Sequence, residues 1–206
     1  MANSSDNITK ILISDGLLIK KDVPYVKHVL KPGCLIEEVH NLVLAENPGR
    51  NTIFLISVGS LNVTAKECGW DYSIIKNKSN LLEDAFVAFR QCLLDLHSLR
   101  MKKKCVIRIC GLLPIPADQD IDNAPEEEKQ LSELLSKLYF KCNSEIRLFN
   151  GSGGFVNLEK FVSMSGQRRY KTGQMKIRLR AYKNGEPTAE TKANLSRRIL
   201  KYLEKL

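Results

Sequence analysis

The sequence predicts an α/β protein, a three-layer α/β/α arrangement around a mainly parallel sheet. Short apolar runs rich in β-branched residues recur at 8–14, 51–59 and 104–112, and amphipathic helical patterns separate them. The runs are largely apolar without a wet alternate face, as strands covered on both sides must be. Strand and helix in alternation then give parallel pairing with helices on both faces.

ITKILIS (8–14) is the first strand, and VKHVLK (26–31), ended by Pro32 and Gly33, is a shorter strand candidate. CLIEEVHNLVLAE (34–46) places Leu35, Val39, Leu42 and Val43 on one stripe before the Asn47-Pro48-Gly49 stop. NTIFLISVG (51–59) is the next strand. The longest helix is expected over 79–103, with Ser79 as N-cap and basic residues at its end that suit the helix dipole. KCVIRICGL (104–112) reads as a further strand, followed by a polar, proline-containing loop at 113–123. A helix over 124–143 opens with Pro125 and three glutamates and presents Leu131, Leu134, Leu135 and Leu138. MKIRLRAY (175–182) is a short strand. The last helix, 187–206, begins at Pro187 and carries Leu195, Ile199 and Leu203 at a spacing of four.

With 206 residues, 43% of them hydrophobic, the chain is expected to form one domain over 1–206. No stretch approaches the roughly 20 apolar residues of a bilayer span, and the polar start MANSSDNITK shows no signal pattern. The expectation is a cytoplasmic protein. Six cysteines (Cys34, Cys68, Cys92, Cys105, Cys110, Cys142) lack C-x-x-C spacing and mostly sit in apolar runs, as reduced core thiols do. No metal or cofactor is expected.

The formal charge is +9, and it is segregated. Residues 1–150 hold 19 basic and 19 acidic side chains, whereas 151–206 hold 13 and 4. QRRYKTGQMKIRLRAYK (167–183) carries seven basic residues and no acidic one. Cationic charge concentrated on one segment neutralises phosphates and releases their counterions, so a polyanion is the leading partner class.

In open α/β sheets the informative residues follow the strands. Here they are Ser14-Asp15-Gly16, Gly59-Ser60-Leu61-Asn62 and, before the last helix, Asn184-Gly185-Glu186-Pro187. In that order and at those separations they resemble the signature blocks of SGNH (GDSL) hydrolases. The resemblance implies that fold, with a nucleophile turn after the first strand, a Gly-x-Asn oxyanion turn, and an Asp-x-x-His block before the final helix. Ester chemistry of this type needs a serine, a base and an acid that orients the base. Asp15 aligns with the family aspartate, but Gly16 stands where the serine belongs. Gly59 and Asn62 match the oxyanion turn with one extra residue between them. Asn184 replaces the acid, and His28, His40 and His97 all lie upstream. The expectation is a vestigial pocket (Asp15, Gly16, Gly59, Asn62, Asn184), no catalytic residues and no enzymatic activity. Ser14 as a displaced nucleophile lies two positions early with no histidine in sight, and a cysteine paired with an upstream histidine is the other catalytic alternative.

A depleted SGNH-like domain with a basic C-terminal segment resembles the OSK-type domains of insect germ-plasm organisers. That resemblance implies binding of messenger RNA 3′ untranslated regions, assembly of cytoplasmic ribonucleoprotein granules, and other germ-plasm proteins as partners. Arg168, Arg169, Lys171, Lys176, Arg178 and Arg180 are the candidate phosphate contacts. Alternation in KIRLR would put Lys176, Arg178 and Arg180 on one strand face, and Tyr170 and Tyr182 are candidates to stack on bases. Gly151 to Gly154 spells Gly-x-x-Gly, but the flanking helix pair of a KH clamp is missing. Two alternatives stand beside RNA binding: a protein-interaction module whose basic face meets acidic partners, and a cryptic esterase.

Overall fold

The computed structural model describes residues 8–16, 24–63, 72–77, 80–113, 125–151, 156, 158, 182–183 and 186–206. Four strands, β1 (Thr9–Ser14), β2 (Val26–Leu30), β3 (Thr52–Ser57) and β4 (Val106–Ile109), form one sheet in the order β2-β1-β3-β4. Every pairing is parallel. The chain adds β2 on one side of β1 and then crosses to add β3 on the other. The order therefore reverses between β1 and β3, which is where open α/β sheets hold ligands.

Pleating sorts the strand residues into two faces. Ile11, Ile13, Phe54, Ile56, Ile107 and Ile109 point into the larger core. That core is closed by α1 (Ile36–Ala45), α3 (Leu81–Lys103) and α4 (Glu126–Asn150), with a short helix α2 (Tyr72–Asn77) between β3 and α3. Leu12, Ile53 and Leu55 face the other way, onto Leu195, Ile199 and Leu203 of α5 (Ala189–Glu204). Helices on both faces give the three layers, as the apolar strands require.

Two helices begin or end away from their expected places. α4 runs seven residues past the expected stop at 143, because Tyr139, Cys142, Asn143, Ile146 and Asn150 keep a buried stripe at three- and four-residue spacing. Asn143 reads as a helix stop only while its amide has no partner, and here its Oδ1 accepts from the Leu112 amide at 2.9 Å. α5 does not start at Pro187. Pro187 belongs to a two-residue strand, β6 (Glu186–Pro187), paired antiparallel with β5 (Tyr182–Lys183), and Thr188 is the N-cap, its hydroxyl accepting from the Thr191 amide at 3.3 Å. Of the strand expected over 175–182, only Tyr182 is described, in β5; Ser79 also lies outside the described residues.

Beyond β4 the sheet edge is closed by other means. Asn150 uses both ends of its amide on Ile109, accepting from its N–H at 3.0 Å and donating to its carbonyl at 2.7 Å. One residue pair on, the Gly111 amide donates to the Val156 carbonyl at 2.9 Å, so the chain at Val156 lies where a fifth strand would pair. Five cysteines are described, and all are free.

Candidate functional site at the carboxyl ends of the strands

β1 ends in Ser14, and Asp15 and Gly16 make the turn. The turn is fixed by the backbone of the segment after β2: the Lys31 amide donates to the Ser14 carbonyl at 2.9 Å, and the Gly33 amide to the Asp15 carbonyl at 3.1 Å. Gly16 has a φ of +93°, a conformation that favours glycine. A Cβ there would touch Pro32 Cα at 3.4 Å. A serine at this position, the one the family pattern requires, would thus fit the space at ordinary contact distance but be strained by its backbone conformation.

The structure brings a histidine to Ser14. Ser14 Oγ and His28 Nε2 lie 2.7 Å apart. β1 and β2 are parallel with Leu12 beside His28 and Ser14 beside Leu30, so His28 and Ser14 share a face as diagonal neighbours. This corrects the expectation that no histidine serves Ser14. The signal was present, a histidine of fixed parity on a neighbouring strand, but it becomes legible only once β2 is known to pair beside β1 in this register.

On the same face, the pleat places Ser57 beside Ser14, and Cys110 follows β4. The Cys110 thiol lies against Ser57 and near the Asp15 carboxylate, and burial, reinforced by that negative charge, pushes it far above the usual thiol range. Burial likewise pushes the Cys34 and Cys142 thiols up to about 12, and Cys92 up to about 11. A thiol held protonated is a poor nucleophile. His97, the histidine nearest a cysteine in sequence, is occupied elsewhere: its Nδ1 lies 2.7 Å from Arg100 Nη2, and its ring packs edge-on against Phe149.

The second block is a structural clamp. Gly59 has a φ of +104°, and its carbonyl accepts from the Asn62 amide at 3.2 Å to open a short 3-10 turn, Leu61–Val63. Asn62 Oδ1 accepts from the Ile36 amide at 3.0 Å, satisfying an open N–H of the first turn of α1. Asn62 Nδ2 donates to the Glu37 carboxylate at 2.8 and 3.0 Å. An oxyanion hole needs a donor aimed at open space, whereas this one is aimed at a carboxylate. Beside it, Lys31 is paired with Glu38, whose other oxygen accepts from the Leu35 amide at 3.1 Å. The Lys31 ammonium, and then that amide, hold the Glu38 carboxyl below its ordinary range.

Asp15, Gly16, Gly59 and Asn62 thus converge on the segment from residue 31 to residue 37. Asn184 lies outside the described residues, as do Arg168, Arg169, Tyr170, Lys171, Lys176, Arg178 and Arg180. Of the other basic positions, Lys102, Lys103, Lys104, Arg197 and Arg198 are exposed. Arg100 is held inward, donating to the Phe149 carbonyl at 3.2 Å with its guanidinium 4.9 Å from the Phe149 ring centre. Among the described residues no helix is long and apolar enough to cross a membrane.

No protein-family model and no curated protein matches this sequence. A solved structure does: a member of the lipolytic protein G-D-S-L family from Veillonella parvula DSM 2008, 12% identical, with a TM-score of 0.52. The match covers 96% of this chain and 98% of that one. It overturns the expectation that the chain is not an enzyme, since the fold is shared from end to end with a member of a lipolytic family. That expectation had also rested on the lack of a histidine within reach of a serine, and His28 removes that support. The architecture built by β1 to β4 and the flanking helices is that of the SGNH (GDSL) hydrolases.

Proposed function

We propose that this chain binds RNA on an SGNH-hydrolase-like frame, as an OSK domain of the kind found in Oskar, the insect germ-plasm organiser. In this reading it holds messenger RNA 3′ untranslated regions in cytoplasmic germ granules, together with other germ-plasm proteins. The observation that carries the reading is the segregation of charge: residues 151–206 hold 13 basic and 4 acidic side chains, while the preceding 150 residues balance at 19 each. A field of one sign confined to one segment attracts a polyanion and leaves the rest of the surface neutral toward it. Arg168, Arg169, Lys171, Lys176, Arg178 and Arg180 supply the phosphate contacts, and Tyr170 a stacking platform. Backbone contacts of this kind give modest sequence preference. Photo-crosslinking to a single-stranded 3′ untranslated RNA tests it: the intact chain should label, and replacing Arg168, Arg169 and Arg178 by glutamate should abolish the label. Undiminished labelling of that triple variant would remove the basis for the proposal.

Ester hydrolysis is the second reading, favoured by the 2.7 Å contact between Ser14 Oγ and His28 Nε2 in a fold shared with a lipolytic family. His28 would take the Ser14 proton as the oxygen attacks an acyl carbon. Ser14 is fully enclosed, 0% exposed, and this ranks the reading second, because an acyl group must reach the oxygen it acylates. Turnover of a short acyl ester that disappears in both Ser14→Ala and His28→Ala would establish it; turnover unchanged in either variant excludes this pair.

A further inference from the structure

We infer that this chain associates with a second copy of itself through the outer face of α3, the two helices antiparallel and crossing at Leu94. The inner face of α3 is explained by Phe89, Leu93, Leu96 and Leu99, which are buried against the sheet. Its outer face carries Val87, Leu94 and Met101, which are 57%, 51% and 64% exposed. They are seven residues apart, two helical turns each, and so line one side of the helix as a seam. Single exposed apolar residues are ordinary, but a seam in register along one helix is the pattern of a packing surface.

Polar residues beside the seam already have partners: Arg90 pairs with Glu145 at 3.5 Å. Gln91 donates to Asp95 at 2.9 Å, and the Ser98 hydroxyl to the Leu94 carbonyl at 3.0 Å. Gln91 and Ser98 thus each have a hydrogen-bond partner within their own helix.

Charge selects both the occupant and its direction. α3 opens with Glu83 and Asp84 and closes with Arg100, Lys102 and Lys103, and Lys104 follows as its C-cap. A parallel copy would bring like ends together. An antiparallel copy centred on Leu94 sets Leu94 against Leu94, Val87 against Met101, and Asp84 against Lys104, satisfying the apolar and charged matches with one two-fold axis. Glu83 is already held by Lys141 at 2.6 Å, which leaves Asp84 as the acid facing the partner. A single helix pair is a small interface, so the dimer is weak and reversible. The inference does not depend on RNA binding, because α3 lies outside the basic C-terminal segment.

Sedimentation of the whole chain across the micromolar range tests it. The expected result is a concentration-dependent dimer that Leu94→Glu abolishes without changing the circular dichroism spectrum, as befits an exposed position. Asp84→Lys should weaken the dimer about tenfold, and adding Lys104→Glu to the same chain should restore it. Register is read separately by oxidation: Leu94→Cys should cross-link to itself, and Val87→Cys should cross-link only when mixed with Met101→Cys. A chain that stays monomeric throughout, a dimer that survives Leu94→Glu, or Val87→Cys cross-linking to itself each overturns the proposal.

Discussion

Gly59 turns the chain at the end of β3, and no other residue type meets both of its conditions. Its φ of +104° is strained for any L side chain, and a Cβ would lie 3.2 Å from Leu112 Cδ2 and 3.3 Å from Phe89 Cε2. Both neighbours are core residues with little room to retreat. Gly33, with a φ of +73° and nothing within 4 Å of its would-be Cβ, has only the first condition. Gly59→Ala should therefore cost about 2–4 kcal/mol, conformational strain plus overpacking, against about 1 kcal/mol for Gly33→Ala. Urea unfolding of the two variants side by side measures the difference; equal midpoints would mean that Leu112 and Phe89 yield freely. At this scale the sequence was a good guide to Gly59, since a glycine after an apolar strand announces a turn. It was a poor guide to Asn62, whose role depends on the first turn of α1 lying 26 positions earlier in the chain.

Asn150 carries the element-scale argument, because it finishes a strand edge with a side chain. A parallel strand exposes N–H and C=O groups on its open side, and those of Ile109 are buried. The Asn150 amide is both acceptor and donor, so one side chain reproduces the pair of bonds a neighbouring strand would make. Asn150→Ala should cost about 1–3 kcal/mol for each group left bare, and the Ile109 amide should exchange with solvent far faster. Asn150→Asp should not rescue it, because a carboxylate accepts from the Ile109 N–H but repels its carbonyl. Hydrogen exchange at Ile109 in the two variants checks this, and protection retained in Asn150→Ala would show that the edge is held by something else. Strands β1 to β4 and most of α1, α3 and α5 follow from apolar periodicity, which acts within a dozen residues. The last two turns of α4 did not, because Asn150 is paired with Ile109 of β4 and Asn143 with the Leu112 amide just beyond it, bonds that no local pattern encodes.

For the whole molecule, what the sequence could not give was order in space. That β2 lies outside β1, and not beside β4, is what sets His28 against Ser14, and no spacing along the chain states it. Net charge is the opposite case: it needs no coordinates, because a field is a sum over residues and the sum is uneven. The first 150 residues balance, and the last 56 carry the full excess of +9. If that excess is the RNA-binding device, affinity must fall with salt in proportion to the phosphates contacted. On a single strand each contact contributes about 0.7 to the slope of log affinity against log salt. Replacing Arg168, Arg169 and Arg178 by glutamine should reduce the slope by about 2, whatever the RNA sequence. The same replacement of Lys102, Lys103 and Lys104, exposed at the end of α3 and outside the C-terminal segment, should leave the slope as it was. Binding isotherms over a range of potassium chloride concentrations separate these outcomes. Equal slopes for the two triple variants would place the polyanion elsewhere on the surface, since counterion release counts contacts and not the total charge of the chain.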